Sequence, residues 1–388
     1  MPLVMMAMAV ILWTASKAAD QSLSTREKHT IAWLYISDTD SMRTLLLTIA
    51  GAIAGIAGVV FSIIMVPLSI AATQFGPRLL RSFLRDTGTQ FTLGTLTGTL
   101  VYCMLVLLHL PKSNTQPLPQ ISVNTALLLG LTSFGVLLFF INHVAVSIQS
   151  PVLVARVSKE LNTAIEHDLP DFISTTPGIQ ETQRKDFSFD LNESYGQISA
   201  TGTGYVKLRD DEGLLAVCIR HNLVLQLLYE PGDFLIKGQP LARVWPAGAD
   251  KKICLAVNQA FDLGARRTLV QDVTFGINEL VEVAVRALSP SINDPFTAMT
   301  CLDWLGAALC KIYNRRLPPD NLYDDEGHLR LIRRPVTFTG LTNAAFHQIR
   351  EYGRTSSAVM LRLIQTIGVV ATNAINQEQR DVLLKHTE

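Results

Sequence analysis

The sequence predicts a chain in two parts: an α-helical integral membrane domain of about four spans, then a cytoplasmic α+β region. That region is read as a small β-barrel followed by a helical domain. Three observations carry this reading. Thr44 to Pro77 contains no charged residue, a longer run than the ~20 residues with which a helix crosses a bilayer. Charged residues are 17% of the 388, below the ~25% of an average soluble protein. The shortfall falls between residues 44 and 155, where only the cluster at 78–86 and Lys112 interrupt the apolar composition. Beyond residue 190 the pattern becomes short aliphatic runs punctuated by Gly, Pro and Asp, then apolar residues at helical spacing. The boundaries fall at 1–155 for the transmembrane domain, 156–190 for a connector, 191–250 for the barrel and 251–388 for the helical domain.

Lys+Arg and Asp+Glu are equal at 33 each. A general nucleic-acid binder would carry a basic excess, so that class is set aside. The five cysteines, Cys103, Cys218, Cys254, Cys301 and Cys310, have no C-x-x-C spacing. They read as buried free thiols in a reducing compartment.

Pro2–Trp13 is an apolar run, short for a span. Ala15-Ser16-Lys17-Ala18 loosely resembles a cleavage site, so the segment reads as a shortened first span or a signal peptide. Residues 15–43 are polar and mixed in charge, with Trp33 and Tyr35 placed for an interfacial belt. Thr44–Phe75 is the strongest span. Gly51, Gly55 and Gly58 form a small-residue face that suits close approach of a second helix, although glycine is common in membrane helices generally. Pro67 removes a backbone donor and predicts a kink. Arg78, Arg81 and Arg85 follow at helical spacing opposite Leu79, Leu80, Phe83 and Leu84. This elbow is suited to the membrane surface or to docking on the soluble domain, and its plainest role is a topological anchor.

Phe91–Leu110 is the next apolar run, Lys112–Gln120 a polar loop, and Thr125–Ile148 the last run. The arginine-rich loop after Phe75, and Arg156 with Lys159, place those segments on the cytoplasmic side. Within the last run, Asn142 and His143 are polar, and a polar group in a membrane is costly unless paired. His143 reads as an interhelical hydrogen-bonding residue or an ion ligand. Aspartate and glutamate are absent from all the spans so delimited, which weakens an ion-coupled transporter.

In the barrel region, Tyr195–Thr203, Gly204–Leu208, Leu214–Ile219, Asn222–Tyr229 and Pro240–Pro246 read as strands. Pro231-Gly232-Asp233-Phe234-Leu235-Ile236-Lys237-Gly238-Gln239-Pro240-Leu241 resembles the turn-strand-turn of biotinyl/lipoyl-like barrels. No lysine sits at a suitable hairpin tip, so a prosthetic group is unsupported and no cofactor is expected. From Asn258 the period becomes helical. Val273, Ile277, Leu280, Val281 and Ala284 share one face, and Leu302, Leu305, Leu309 and Ile312 another. Asp294 before Pro295 reads as an N-cap. A short hairpin is expected around Asp324–Gly327. Leu341–Tyr352, Ser356–Asn373 and Gln377–Lys385 are closing helices, the middle one packed or oligomer-forming.

The densest polar stretch supplies the candidate ligand-binding residues Arg266, Arg267, Asp272, Arg286, Asn293 and Asp294. Arginines with an amide and hydroxyls suit a phosphate or carboxylate. The competing reading is an ion-pair and capping network, with catalysis a third. No hydrolase, zincin, phosphate-loop or dinucleotide motif is present, and no histidine spacing indicates a metal site.

QFGPRLLRSFLRD, LGTLTGTLVY, GYVKL, PGDFLIKGQPLA, RRTLVQDVTFGINELVEVAVRALSPSINDPFTA and CLDWL, in this order, together resemble a bacterial family of predicted multi-pass membrane proteins known only as a domain of unknown function. The resemblance covers nearly the whole chain except its short first span. It implies a bacterial inner-membrane protein with N-terminal spans and a cytoplasmic C-terminal region, and supplies no reaction. The leading expectation is therefore a homo-oligomeric, channel-like or transport-linked protein in the lipid bilayer, with a cytoplasmic sensing and assembly domain and a small anion or ion as its ligand. A membrane-anchored enzyme or anion-binding module using the Arg266–Asp294 cluster is the alternative, and a structural scaffold the third.

Overall fold

The computed structural model describes residues 1–22, 36, 38–74, 86–111, 118–147, 149–169, 194–334, 336–375 and 377–386. The chain divides into two compact units, Met1–Val152 and Leu153–Glu388.

Four helices of the first unit are long and apolar enough to cross a membrane: α1 (Pro2–Ser22), α2 (Thr39–Gln74), α3 (Thr87–Leu108) and α4 (Gln120–Ser147). The α1 helix has 21 residues and rises ~31 Å at 1.5 Å per residue, a full crossing. The expected short segment is thus extended, because Trp13 to Ser22 keeps the helix going through a more polar stretch. Ala15–Ala18 lies inside it. The extension also corrects the expectation that acidic residues are absent from the spans. Asp20 is in the last turn of α1, and Asp40 is in the first turn of α2.

Of the four, α3 is the most enclosed. Leu96, Tyr102, Cys103 and Val106 lie on its buried face, with Met42 and Leu46 of α2 and Phe140 of α4 in the same core. Its glycines set the packing distance. A Cβ on Gly94 would lie 2.4 Å from Met5 Sδ, and one on Gly98 would lie 3.3 Å from the Met5 carbonyl oxygen. The close helix contact within the chain is therefore built on Gly94-x-x-x-Gly98. At Gly51, Gly55 and Gly58 a Cβ would meet nothing within 4 Å. The α2 helix runs on through Pro67. The elbow residues Arg78, Arg81 and Arg85 lie outside the described residues.

The second unit is α+β. Its first helix is α5 (Ser150–Asp168), followed by β1 (Gly196–Ser199), β2 (Gly204–Arg209), α6 (Asp211–His221), β3 (Val224–Leu227), β4 (Phe234–Leu235) and β5 (Pro240–Trp245). Then come α7 (Lys251–Gln259), β6 (Phe261–Gly264), α8 (Val273–Ala287), α9 (Pro295–Tyr313), β7 (Asn321–Tyr323) and β8 (Leu329–Ile332). Three helices close it: α10 (Phe338–Gly353), α11 (Ser357–Thr372) and α12 (Gln377–Leu384).

No closed barrel forms among the described residues, contrary to the sequence expectation. There are two sheets, ordered β1-β5-β3-β8-β7 and β4-β2-β6. Two causes are visible. Leu214–Ile219 is helical, not a strand: Asp210 caps α6 by accepting from Gly213 N–H, and Leu214 and Cys218 bury at i, i+4. A short apolar run cannot by itself separate strand from helix, and the cap decides it. Second, residues from beyond the region complete the sheets. Strand β8 lies parallel to β3, with Leu225 opposite Leu331, and β6 pairs with β2. The helical period expected from Asn258 is likewise interrupted by β6.

The hairpin at Asp324–Gly327 forms between β7 and β8. Helices α8 and α9 bury the faces their spacing indicated, with Ile277, Leu280, Leu302, Leu305, Leu309 and Ile312 all fully enclosed. Each such side chain contributes about 1.5–3 kcal/mol of transfer free energy. All five cysteines are free, and burial pushes the Cys218 thiol up to about 12.

Candidate functional site

A cavity of about 330 Å³ lies in the second unit, within the size range of small-molecule sites. Element ends make it. Strand β2 ends at Arg209, Asp211 opens α6, Glu230 and Pro231 lie in the turn before β4, and Gln271 and Asp272 precede α8. Arg333 and Arg334 follow β8, and His167, Asp168 and Leu169 close α5. Charged side chains reach the cavity because each stands where a buried strand or helix stops.

Arg209 is the hub. Its side chain is 3% exposed and pairs with Asp211 at 2.5 Å and Glu230 at 2.8 Å. Asp211 also binds Arg333. Glu230 accepts the Arg334 backbone N–H at 3.0 Å, and the Arg334 side chain binds Asp233. The network ties the end of β2 to the start of α6, the turn before β4 and the segment after β8. Gln271, at φ 56°, accepts the Arg209 backbone N–H at 2.9 Å and donates to its carbonyl at 3.2 Å.

Asp272 caps α8 through Phe275 N–H at 3.0 Å and takes two donors from Arg267, at 3.0 and 2.8 Å. Burial pushes its carboxyl above the usual range, outweighing the Arg267 guanidinium. The turn over it requires glycine. Gly232 has φ 96°, and a Cβ there would lie 2.2 Å from Asp272 Oδ2.

Of the residues singled out in one stretch of sequence, Asp272 lines the cavity and Arg267 holds it. Arg267 also stacks 5.2 Å over the Phe275 ring. Arg266 is exposed. Arg286 pairs with Glu282 at 3.1 Å, Asn293 takes a left-handed turn at φ 49°, and Asp294 caps α9 through Thr297. These four are not cavity-lining residues. Sequence reasoning missed Arg209, Asp211, Glu230, Arg333 and Arg334, which come together across more than a hundred residues. Among the described residues, no group of three His, Cys, Asp or Glu side chains gathers to hold a metal.

The first unit has polar contacts of a different kind. His143 Nε2 lies 2.7 Å from Asp86 Oδ2, linking α4 to the capping residue of α3. Asn142 is exposed. Near the other ends of these helices, Asp20 accepts from the backbone N–H groups of Ile121 and Ser122 at 3.0 and 2.9 Å and from the Ser122 hydroxyl at 2.7 Å. A helix N-terminus leaves such donors without an intrahelical partner, so α1 supplies the cap of α4. Ser16 and Tyr102 join at 2.8 Å beside it.

An uncharacterized protein of Mycobacterium tuberculosis (strain ATCC 25618 / H37Rv) is 28% identical over 348 residues, 87% of this chain and 65% of the relative. An uncharacterized protein of Mycobacterium bovis (strain ATCC BAA-935 / AF2122/97) matches to the same extent. The chain thus spans 65% of the length of these relatives. No solved structure matches. The family described as "Predicted membrane protein (DUF2254)" matches residues 1–368, and with four apolar helices in its N-terminal region the chain belongs to that family.

Proposed function

We propose that this is a homo-oligomeric, channel-like or transport-linked protein of the bacterial inner membrane, whose C-terminal α+β region lies in the cytoplasm and senses a small ligand. The cavity framed by Arg209, Arg333 and Arg334 carries the reading, because it joins strand, helix and turn ends that a bound molecule would pull together. The positive residues Arg156 and Lys159 after the last span support the orientation.

The test is salt flux through liposomes containing the purified full chain. Flux above protein-free liposomes is expected, and it should change in Arg334→Ala, whose side chain is 59% exposed and whose loss should cost less than about 1 kcal/mol of stability. Absence of flux rejects the channel-like part. Equal flux in wild type and variant rejects the coupling of the cavity to transport.

A further inference from the structure

Helix α11 (Ser357–Thr372) is largely apolar on both of its faces. The inner face, Val359, Leu363, Thr366, Ile367 and Val370, is buried. Gly306 of α9 seats it, since a Cβ there would lie 2.5 Å from Thr366 Cγ2. The outer face carries Leu361, Ile364 and Val369, which are 58, 48 and 59% exposed. Gln365 and Gly368 are exposed between them. A surface helix ordinarily turns polar and charged side chains outward, and a helix apolar all round is a covered one. Arg362 is the single charge among its 16 residues, and that guanidinium lies 3.5 Å from Asp303 of α9.

Charge and shape select one occupant for this face. An interfacial helix holds anionic lipid through lysines and arginines on its flanks. Here the one cation is matched by Asp303, so anionic lipid gains nothing by charge, and a second copy of the same face meets no repulsion. In shape, Leu361 is a knob and Gly368 a notch, because a Cβ on Gly368 would meet nothing within 4 Å. The two are seven residues apart and so share one side of the helix to within about 20°. A two-fold axis through the middle of that interval sets Leu361 of each copy against Gly368 of the other. Such a self-complementary face closes as an isologous pair, and the glycine lets the facing helix come close.

The footprint of this helix, ~24 Å by ~10 Å, is below the ~800 Å² per partner of a free-standing complex. Copies held in one bilayer by their apolar helices meet at a raised effective concentration, so a small interface suffices. Deepening the homo-oligomer part of the reading above, we infer that the outer face of α11 pairs antiparallel, about a two-fold axis, with the same face of a second copy.

Cross-linking of the full chain in liposomes with a short bismaleimide tests it, with wild type and its five free cysteines as the baseline. Gln365 lies beside the axis, so Gln365→Cys should give a covalent dimer above that baseline, and the dimer should persist on about tenfold dilution in lipid. Ala358→Cys should give none, because an antiparallel pair holds those positions ~20 Å apart along the helix. With Gln365→Cys as reporter, Gly368→Leu fills the notch and should weaken pairing about tenfold. Its thermal midpoint should stay at or above that of wild type, since leucine favours a helix over glycine. Leu361→Gly should also weaken pairing, and the exchange Leu361→Gly with Gly368→Leu should restore it, knob and notch having changed places. Full pairing in Gly368→Leu, or no recovery in a folded exchange variant, overturns the knob and notch. Equal cross-linking at Ala358→Cys and Gln365→Cys overturns the antiparallel arrangement. If Gln365→Cys does not cross-link while light scattering gives wild type the mass of an oligomer, this surface is overturned and the homo-oligomer stands; a monomeric mass rejects both. A bimane on Gln365→Cys that is quenched by doxyl-labelled lipid would give the face to the bilayer and likewise overturn the pairing.

Discussion

Asp20 in the first unit and Asp168 in the second are both buried or nearly so, yet they are treated differently. Asp20 accepts from two backbone N–H groups and one hydroxyl. Asp168 leaves Oδ2 without a partner, and Arg333 does the same with Nε. Asp20 belongs to a unit whose outer surface is apolar, with Leu3, Ile11 and Leu108 among its exposed side chains. In lipid no water stands by to satisfy a bare donor or acceptor, so polar groups are placed at helix ends and closed on backbone or on one another. The second unit collects its buried charge around a space that a solute can enter. Polarity in the first unit thus holds helices together, while in the second much of it is gathered around a cavity.

The largest effect that can break this comparison is at Arg209. Arg209→Met removes the shared partner of Asp211 and Glu230 and leaves both carboxylates partly buried. The expected loss is about 3–5 kcal/mol, the size seen when one member of a buried ion network is removed. The thermal unfolding midpoint of the full chain in detergent, followed by tryptophan fluorescence, reports it. A loss below about 1 kcal/mol would make the network an ordinary solvated one and remove the contrast with the first unit.

Asp20→Ala comes next. It uncaps Ile121 and Ser122 at the start of α4, for an expected loss of about 2–3 kcal/mol from a missing cap and unmet donors. Asp20→Asn retains one oxygen acceptor and should recover about half of that loss in the same melt. Full stability in Asp20→Ala would mean that water reaches this end of the helices, which is the condition the comparison assigns to the second unit alone.

Much of the first unit was legible in sequence, because a span is a sum over some twenty residues and single polar interruptions do not erase it. The pairing of His143 with a second helix followed from the cost of a lone polar group in a span. Glycine spacing, however, did not single out the pair that makes the close contact within the chain. Gly51-x-x-x-Gly55 and Gly94-x-x-x-Gly98 have the same spacing, and only the fold shows that Met5 packs on the second. In the α+β unit, helix caps such as Asp294 were legible because their signal is local. The two sheets were not, since β8 joins β3 from a hundred residues away. The cavity was illegible for the same reason. Its arginines and carboxylates lie in five separate segments, and each alone looks like a surface charge.

The smallest effects separate packed glycines from open ones within the first unit. At Gly88 a Cβ would lie 2.5 Å from His143 Nε2. That ring is held by Asp86 and stacks on Phe139 with centroids 5.6 Å apart, so it has little room to withdraw. Gly88→Ala should therefore push His143 off Asp86 and cost about 1–2 kcal/mol, as overpacking does. At Gly55 a Cβ would meet nothing within 4 Å, and Gly55→Ala should be neutral or stabilising by up to about 1 kcal/mol through helix propensity. Adding Asp86→Ala to Gly88→Ala should cost a further ~1 kcal/mol, the worth of the α3 cap that Asp86 makes with Thr89, and no more, because the first change has already broken the pair; a larger further loss would show that His143 moves without releasing Asp86. Equal losses at Gly88 and Gly55, with the Gly55 loss dependent on protein concentration, would mean that the open glycine face of α2 is covered by a second copy of the chain. The distinction between packed and open glycines would then hold only within one chain, and the homo-oligomer would gain its contact surface.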